Sequence, residues 1–266
     1  MMKLYKAGCC HHPERITDAQ GSWRVIEFPA MAAAIEHPTQ GIILYDTGYA
    51  KHFAQHTRKL PYSLYPLITP VRFSEEDSLA NQLANDGIAA DDVRAIIISH
   101  YHGDHIAGLR DFPKARLISS RAGYEHARQK RGLSAVMAGF VPGLLPEDFE
   151  QRIGFSDDAR ATLLPPELTP FRSGRDLFGD GSLLLIDLPG HARGQLGLLT
   201  PERFLVADAA WSSGAYRRNS PPSRLANLIA DDSADVRRTL DRLHELHLRN
   251  PQLRITPSHC SETWEA

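Results

Sequence analysis

The sequence predicts an α/β layered domain with a helical insertion, on three observations. Short apolar strands recur at both ends of the chain, an amphipathic helix follows each set, and a long stretch between them is broken by glycine and proline. In chain order, residues 4–7, 23–28, 30–36 and 41–45 read as strands, the last running into the turn Asp46-Thr47-Gly48. A helix starts at Ser74, where Glu75, Glu76 and Asp77 put negative charge on the first turn. Leu79 and Leu83 give it an apolar face, and Gly87 ends it. Residues 95–99, Ala-Ile-Ile-Ile-Ser, are a β-branched run suited to a buried strand. Residues 121–175 mix helical stretches with Gly132, Gly139, Pro142, Gly143, Pro146, Pro165, Pro166 and Pro170. Strands resume at 183–188, 196–199 and 203–207. A helix over 234–248 carries Val236, Leu240, Leu243 and Leu246 on one face, and 253–256 is the last strand. Residues 1–266 read as one domain, with 121–175 as the insertion.

Composition narrows the function classes. The 266 residues are 42% hydrophobic and 23% charged, with a formal net charge of −2, which is ordinary for a globular protein. Basic residues are scattered, the densest clusters at 128–131 and 237–238 reading as solvated helix faces, so neither nucleic acid nor an anionic membrane is an expected partner. The opening residues reach Cys9-Cys10-His11-His12 before an apolar segment forms, unlike a signal peptide, and no run approaches the roughly 20 apolar residues of a membrane span. Three cysteines, two of them adjacent, do not make a disulfide framework. A reduced cytoplasmic protein is the expectation.

The strongest chemical signal is His100-Tyr101-His102-Gly103-Asp104-His105, four potential ligands directly after a buried strand. One tight loop can aim alternate side chains in opposite directions. His100 and His102 can then hold one metal while Asp104 and His105 hold its neighbour. Imidazole and carboxylate suit borderline divalent ions, zinc first, with manganese, iron or cobalt also suited. Three further candidates each sit at or just past a strand end. His191 follows Pro189-Gly190, Asp208 ends the run Phe204-Leu205-Val206-Ala207, and His259 follows Ile255-Thr256-Pro257-Ser258.

Taken in order, the H-x-H-x-D-H loop, the Asp46-Thr47-Gly48 turn, Pro189-Gly190-His191, the strand ending in Asp208 and the late His259 resemble the metallo-β-lactamase superfamily. That resemblance spans about Leu4 to His259. It implies a four-layer αβ/βα sandwich with the site along one edge of two sheets. It also implies a ligand set: His100, His102 and His191 for a first metal, Asp104, His105 and His259 for a second, with Asp208 bridging both. Asp46 would support the ligands from behind or simply stabilise its turn. Flavodiiron-type members carry Glu where this chain has His102, and antibiotic-hydrolysing members generally lack a carboxylate at the Asp208 position. The pattern is most similar to acyl-homoserine lactonases and related lactone hydrolases, a link to quorum sensing.

Two departures stand out. Those lactonases place a tyrosine three residues after the bridging aspartate, where this chain has Trp211, which has no ionisable hydroxyl; Tyr216 is the nearby substitute, or the substrate differs. Cys260 stands where relatives often carry an acidic residue. The expected mechanism is that two cations lower the pKa of a bridging water, giving a hydroxide that attacks a metal-polarised carbonyl, with Asp104 passing a proton to the leaving alkoxide. No Ser-His-Asp order of the G-x-S-x-G kind is present.

For the substrate pocket, Met137, Phe140, Val141, Leu144, Leu145 and Phe149 of the insertion are candidates beside Trp211, with the stretch 62–73 (Tyr65, Phe73) a second wall. The alternatives for the insertion residues are a small local core or a homodimer contact. Cys9-Cys10-His11-His12 is rich in donors but lacks zinc-finger spacing, and adjacent cysteines poorly suit one tetrahedral ion, so it reads as strand then loop. His244 and His247 read as surface histidines. The expected function is a dinuclear metal-dependent hydrolase of a lactone or related ester. The alternatives are a thioesterase or phosphodiesterase with the same metals, or a regulatory member that binds a small signal molecule with little turnover.

Overall fold

The apolar segments at the front of the chain pair into a mixed sheet, and those at the back pair into another. The computed structural model describes residues 1–223, 226 and 230–264. It divides into two compact units, Met1–His12, Glu27–Ser119 and Tyr124–Gly154 in one, and Pro13–Ile26, Ser120–Gly123 and Phe155–Ala266 in the other.

The first sheet holds β1 (Met2–Pro13), β2 (Val25–His37), β3 (Gly41–Tyr45), β4 (Val71–Arg72), β5 (Val93–Ile97), β6 (Arg116–Ser119) and β7 (Ile153–Phe155), in the order β4-β1-β2-β3-β5-β6-β7. β2 and β3 form an antiparallel hairpin with Ala33 opposite Tyr45 and His37 opposite Gly41, while β3, β5 and β6 run parallel. Ile43, Leu44, Ile96 and Ile97 are buried, because a central parallel strand is covered on both faces. Three expectations change here. The segments predicted at 23–28 and 30–36 merge into one strand that begins at Val25, since the fixed φ of Pro29 suits extended backbone. β1 also continues as strand through all of Cys9–His12 to Pro13, where the sequence suggests strand then loop. The helix beginning at Ser74 comes in two pieces. Ser74 and Asp77 close a capping box on the turn Glu75–Asp77, then Ser78 caps a separate helix, Leu79–Asn85, by accepting from Asn81 N at 3.2 Å.

The second sheet holds β8 (Arg160–Leu163), β9 (Ser173–Asp176), β10 (Leu184–Asp187), β11 (Leu196–Leu199), β12 (Phe204–Ala207) and β13 (Ile255–Pro257), in the order β13-β12-β11-β10-β9-β8. All neighbours are antiparallel except β12 and β13, which run parallel. Helix Ser233–Arg249 starts where the Asp232 carboxylate accepts from Ala234 N and Asp235 N at 2.8 and 2.9 Å. Its Leu240, Leu243 and Leu246 join Leu188, Phe204 and Val206 in one core. Each such leucine contributes roughly 1.5–3 kcal/mol of burial.

The insertion is helical only in part. Helices Arg121–Ala127, Leu133–Met137 and Phe149–Arg152 occupy its first portion, but the chain then enters β7, β8 and β9. Pro165, Pro166 and Pro170 fall in the β8–β9 connection, where no ladder donor is required. Among the described residues, no helix is long and apolar enough to cross a membrane.

Candidate metal centre

The first donor set grows out of β5. After Ile97 the chain leaves the sheet, and Ile98 N still bonds to Ile118 O at 2.8 Å before Ser99 and His100 turn away. His102 stands at the N-cap position of a one-turn helix, Gly103–Ile106, that carries Asp104 and His105. His100, Asp104 and His105 are buried. The His100 ring centroid lies 4.5 Å from that of His102 and 4.0 Å from that of His105, and Asp104 Oδ2 lies 3.7 Å from His105 Nε2.

Behind this loop sits Asp46, wholly buried at the end of β3. Its carboxylate accepts from Ser99 N at 2.8 Å, from Ser99 Oγ at 2.7 Å and from His105 Nδ1 at 2.7 Å. Burial pushes the Asp46 carboxyl above the usual carboxylate range, against the opposing pull of His105 and Ser99. With Nδ1 engaged, Nε2 is the His105 nitrogen that can meet a metal. Thr47 completes the clamp: its N and Oγ1 both donate to His105 O at 2.9 Å, and its Oγ1 accepts from Gly108 N at 3.1 Å. Asp46 has φ 58°, a left-handed conformation that costs a non-glycine residue roughly 1–2 kcal/mol. The turn continues into Gly48, where a Cβ would meet Ala7 Cβ at 2.2 Å.

Sequence reasoning missed the packing that holds the loop. A Cβ on Gly103 would meet the Phe53 ring at 2.9 Å, and Phe53 stands edge-on to both Tyr49 and Tyr65. A Cβ on Gly139 would meet His102 Cδ2 at 2.6 Å, while Gly103 N donates to Gly139 O at 3.1 Å. The insertion therefore buttresses His102 with bare backbone. Its apolar residues are placed differently from the expected pocket lining. Phe140, Leu144 and Phe149 are buried, and the two phenylalanines pack around Tyr101, whereas Met137 is 71% exposed. They form a local core because the ring of Tyr101, pinned by its hydroxyl 2.7 Å from Ser119 Oγ, offers them a surface within the same unit.

The second donor set comes from three strand ends. Gly190, with φ 130°, lies so close to helix Ser233–Arg249 that a Cβ would meet Val236 N at 2.3 Å, and Thr239 Oγ1 donates to Pro189 O at 2.7 Å. That packing fixes His191. β12 ends in a register shift, with Ala207 at φ 47°, and turns Asp208 out of the strand. Ser258 N donates to Ala207 O at 3.2 Å, which brings the end of β13 and His259 alongside. One oxygen, Asp208 Oδ2, lies 3.2 Å from His191 Nε2 and 3.1 Å from His259 Nε2. It also accepts from Trp211 Nε1 at 3.1 Å, and the Trp211 ring stands edge-on to His191. A small recess beside His191 and Asp208 is walled by Trp211, Ala209, Ala210, Ala215, Val236 and Leu240.

Tyr216 does not take the expected place near the reaction. It is buried in the core, its hydroxyl donates to Ile255 O at 3.1 Å, and burial pushes its phenol upward. Cys260 is buried too, its sulfur accepting from Ser213 N at 3.2 Å. His244 Nδ1 bonds to Tyr216 O at 2.8 Å and the His247 ring packs on Tyr216, so neither is a bystander on the surface.

Across both sets the donors are imidazole and carboxylate, without a thiolate, a chemistry that fits zinc and its borderline neighbours. The sequence profile of the metallo-β-lactamase superfamily matches residues 26–248. The chain belongs to that superfamily. Its two mixed sheets flanked by helices are those of the metallo-β-lactamase α/β sandwich. Within the superfamily it is similar to the N-acyl homoserine lactonase AttM of Azorhizobium caulinodans, 27% identical over 92% of this chain and 87% of that protein. It is also similar to the N-acyl homoserine lactonase AiiB of Agrobacterium fabrum, 29% identical over 79% and 72%. A solved N-acyl homoserine lactone hydrolase with its product, N-hexanoyl-L-homoserine, at the catalytic metal centre has the same fold, with TM-score 0.73, 19% identity and coverage of 99% and 94%. The dizinc quorum-quenching lactonase AidC does so at TM-score 0.67, 17% identity and coverage of 98% and 87%. This metallo-β-lactamase superfamily member thus sits among lactonase-like, metal-dependent hydrolases of esters.

Proposed function

We propose that this chain is a dinuclear, metal-dependent hydrolase that opens a lactone ring, with zinc as the first choice of metal. The observation that carries the reading is the single oxygen Asp208 Oδ2 held 3.1–3.2 Å from two imidazole nitrogens, the posture of a carboxylate shared between two ions. By family membership, His100, His102 and His191 take one ion, Asp104, His105 and His259 take the other, and Asp208 serves both. Bound there, divalent ions supply Lewis acidity, activating water near neutral pH and polarising an ester carbonyl.

The rest is the work of the chain's own side chains. Asp46 fixes the His105 tautomer and ring angle through Nδ1, and Ser99 fixes Asp46. Asp104 is the carboxylate that takes the proton of the attacking water and returns it to the leaving alkoxide. Trp211 orients Asp208 through its indole N–H and contributes no acid. Trp211, half-buried beside His191 and Asp208, is the wall that the part of the substrate next to the ester meets. Because Trp211 lacks a phenol, a second reading is a thioester or phosphodiester substrate for the same metals.

A pH-stat panel on zinc-loaded protein decides between them, offering acyl-homoserine lactones of several chain lengths, an aromatic lactone, an acyl-glutathione thioester and a phosphodiester. Lactone opening well above an Asp104→Asn control is expected. Cleavage confined to the thioester or the phosphodiester sinks the lactone reading, and tight lactone binding without turnover by either protein points to a signal-binding role.

A further inference from the structure

In the first unit, far along the chain from the H-x-H-x-D-H loop, three donors of different kinds converge. Cys9 Sγ, a ring nitrogen of His11 and a carboxylate oxygen of Glu27 all lie within 4.8 Å of one another. Ligands about 2.0–2.3 Å from one ion stand roughly 3.5 Å apart, so a small closure brings the three together. We infer that Cys9, His11 and Glu27 form a separate site for a borderline divalent cation of the zinc class, clipping β1 to its neighbour β2.

The backbone explains why these residues meet. Cys9 and His11 are two apart on β1 and share a face, and Glu27 comes from the adjacent strand. Gly8, at φ 77°, interrupts the alternation of β1. Lys6 and Cys9, three apart, therefore both reach Glu27, one as an ion pair and the other through its thiol. A side chain at Gly8 would be strained and would meet Arg72 O at 3.0 Å. The local charge favours a cation: the carboxylates of Glu27 and Asp77 both act on the Cys9 sulfur. Lys6 opposes it, but Lys6 and Glu27 are 40% and 42% exposed, and so open a pair is weakly held and the ammonium can swing into water. Burial and Glu27 push the Cys9 thiol up to about 11, so without a cation the sulfur keeps its proton and donates it to Glu27. A thiolate-imidazole-carboxylate set leaves one tetrahedral position for water and selects zinc, cobalt or cadmium over magnesium or calcium.

Cobalt(II) is the probe, because a sulfur ligand announces itself by a thiolate-to-cobalt charge-transfer absorption in the near ultraviolet. None of the seven ligands proposed for the hydrolytic centre is a cysteine, so the signal does not depend on that centre. The full-length protein titrated with cobalt(II) is expected to develop the band, and zinc is expected to quench it. The band should survive Cys260→Ser and Cys10→Ser, and fall at least about tenfold in Cys9→Ser and His11→Ala. His11 is only partly buried, so its variant tests the site should Cys9→Ser misfold. No band in the unaltered protein, or a band that persists in both Cys9→Ser and His11→Ala, overturns the assignment.

Discussion

The two donor sets are held in different ways. In the first unit, His100, His102, Asp104 and His105 fall within six residues, and a polar brace behind them, Asp46 with Ser99 and Thr47, holds the loop. In the second unit, His191, Asp208 and His259 come from three strand ends, and backbone packing positions them: Gly190 against a helix, the register shift in β12, and the β12–β13 pairing. A compact motif needs a partner to orient each ring. A dispersed one gets its orientation from the sheet, and concentrates its polar contacts on one carboxylate. The first set should therefore be sensitive to its brace, and the second to its shared oxygen.

The largest effect is expected at that oxygen. Asp208→Ala should lower kcat/KM by on the order of 10³ or more and reduce bound metal below about one ion per chain, whereas His102→Ala should leave about one. Metal counting by mass spectrometry with steady-state kinetics checks both, and equal losses from the two variants would remove the distinction drawn here. Next comes the brace. Asp46→Asn should weaken metal retention about 10–100-fold without altering the fold, read by chelator competition. Trp211→Phe removes one hydrogen bond to a charged group, so about tenfold is expected in kcat/KM, less than for Asp46→Asn. A loss larger than that of Asp46→Asn would reverse the ranking. The smallest effect belongs to Met137→Ala, which should change stability by less than about 0.5 kcal/mol and leave the acyl-chain preference alone. A shifted preference would restore the insertion as a pocket wall.

How much of this could be read in advance follows the same division. The H-x-H-x-D-H loop is visible because its spacing is local, and helix Ser233–Arg249 because its leucines repeat at helical period. β11 coincides with the predicted 196–199 for a similar reason, a four-residue apolar run between polar turns. What holds the loop is invisible in one dimension. Ser99, Phe53 and Gly139 matter through contacts with residues up to 53 positions away, and nothing in their neighbourhood marks them. Apolar residues were hardest to assign. Phe140, Leu144 and Phe149 carry the same composition whether they line a pocket or fill a core, and Tyr101 decides which. Tyr216 misled through proximity in sequence to Trp211, although the helix Ser213–Arg218 turns it into the core. Glu27 went unnoticed because its partners lie on another strand.

Gly190 also bears on how such a protein can diversify. Any side chain there would collide with the backbone of the helix beginning at Ser233, so the joint between His191 and that helix admits no variation without being rebuilt. The alanines at 209, 210 and 215 are no freer, for they belong to the buried core with Leu240 and Leu243, and a larger side chain there would overpack it. A laboratory selection for a new ester would do well to leave 190 and those three positions fixed and spend its libraries on Trp211, the half-buried side chain beside His191 and Asp208.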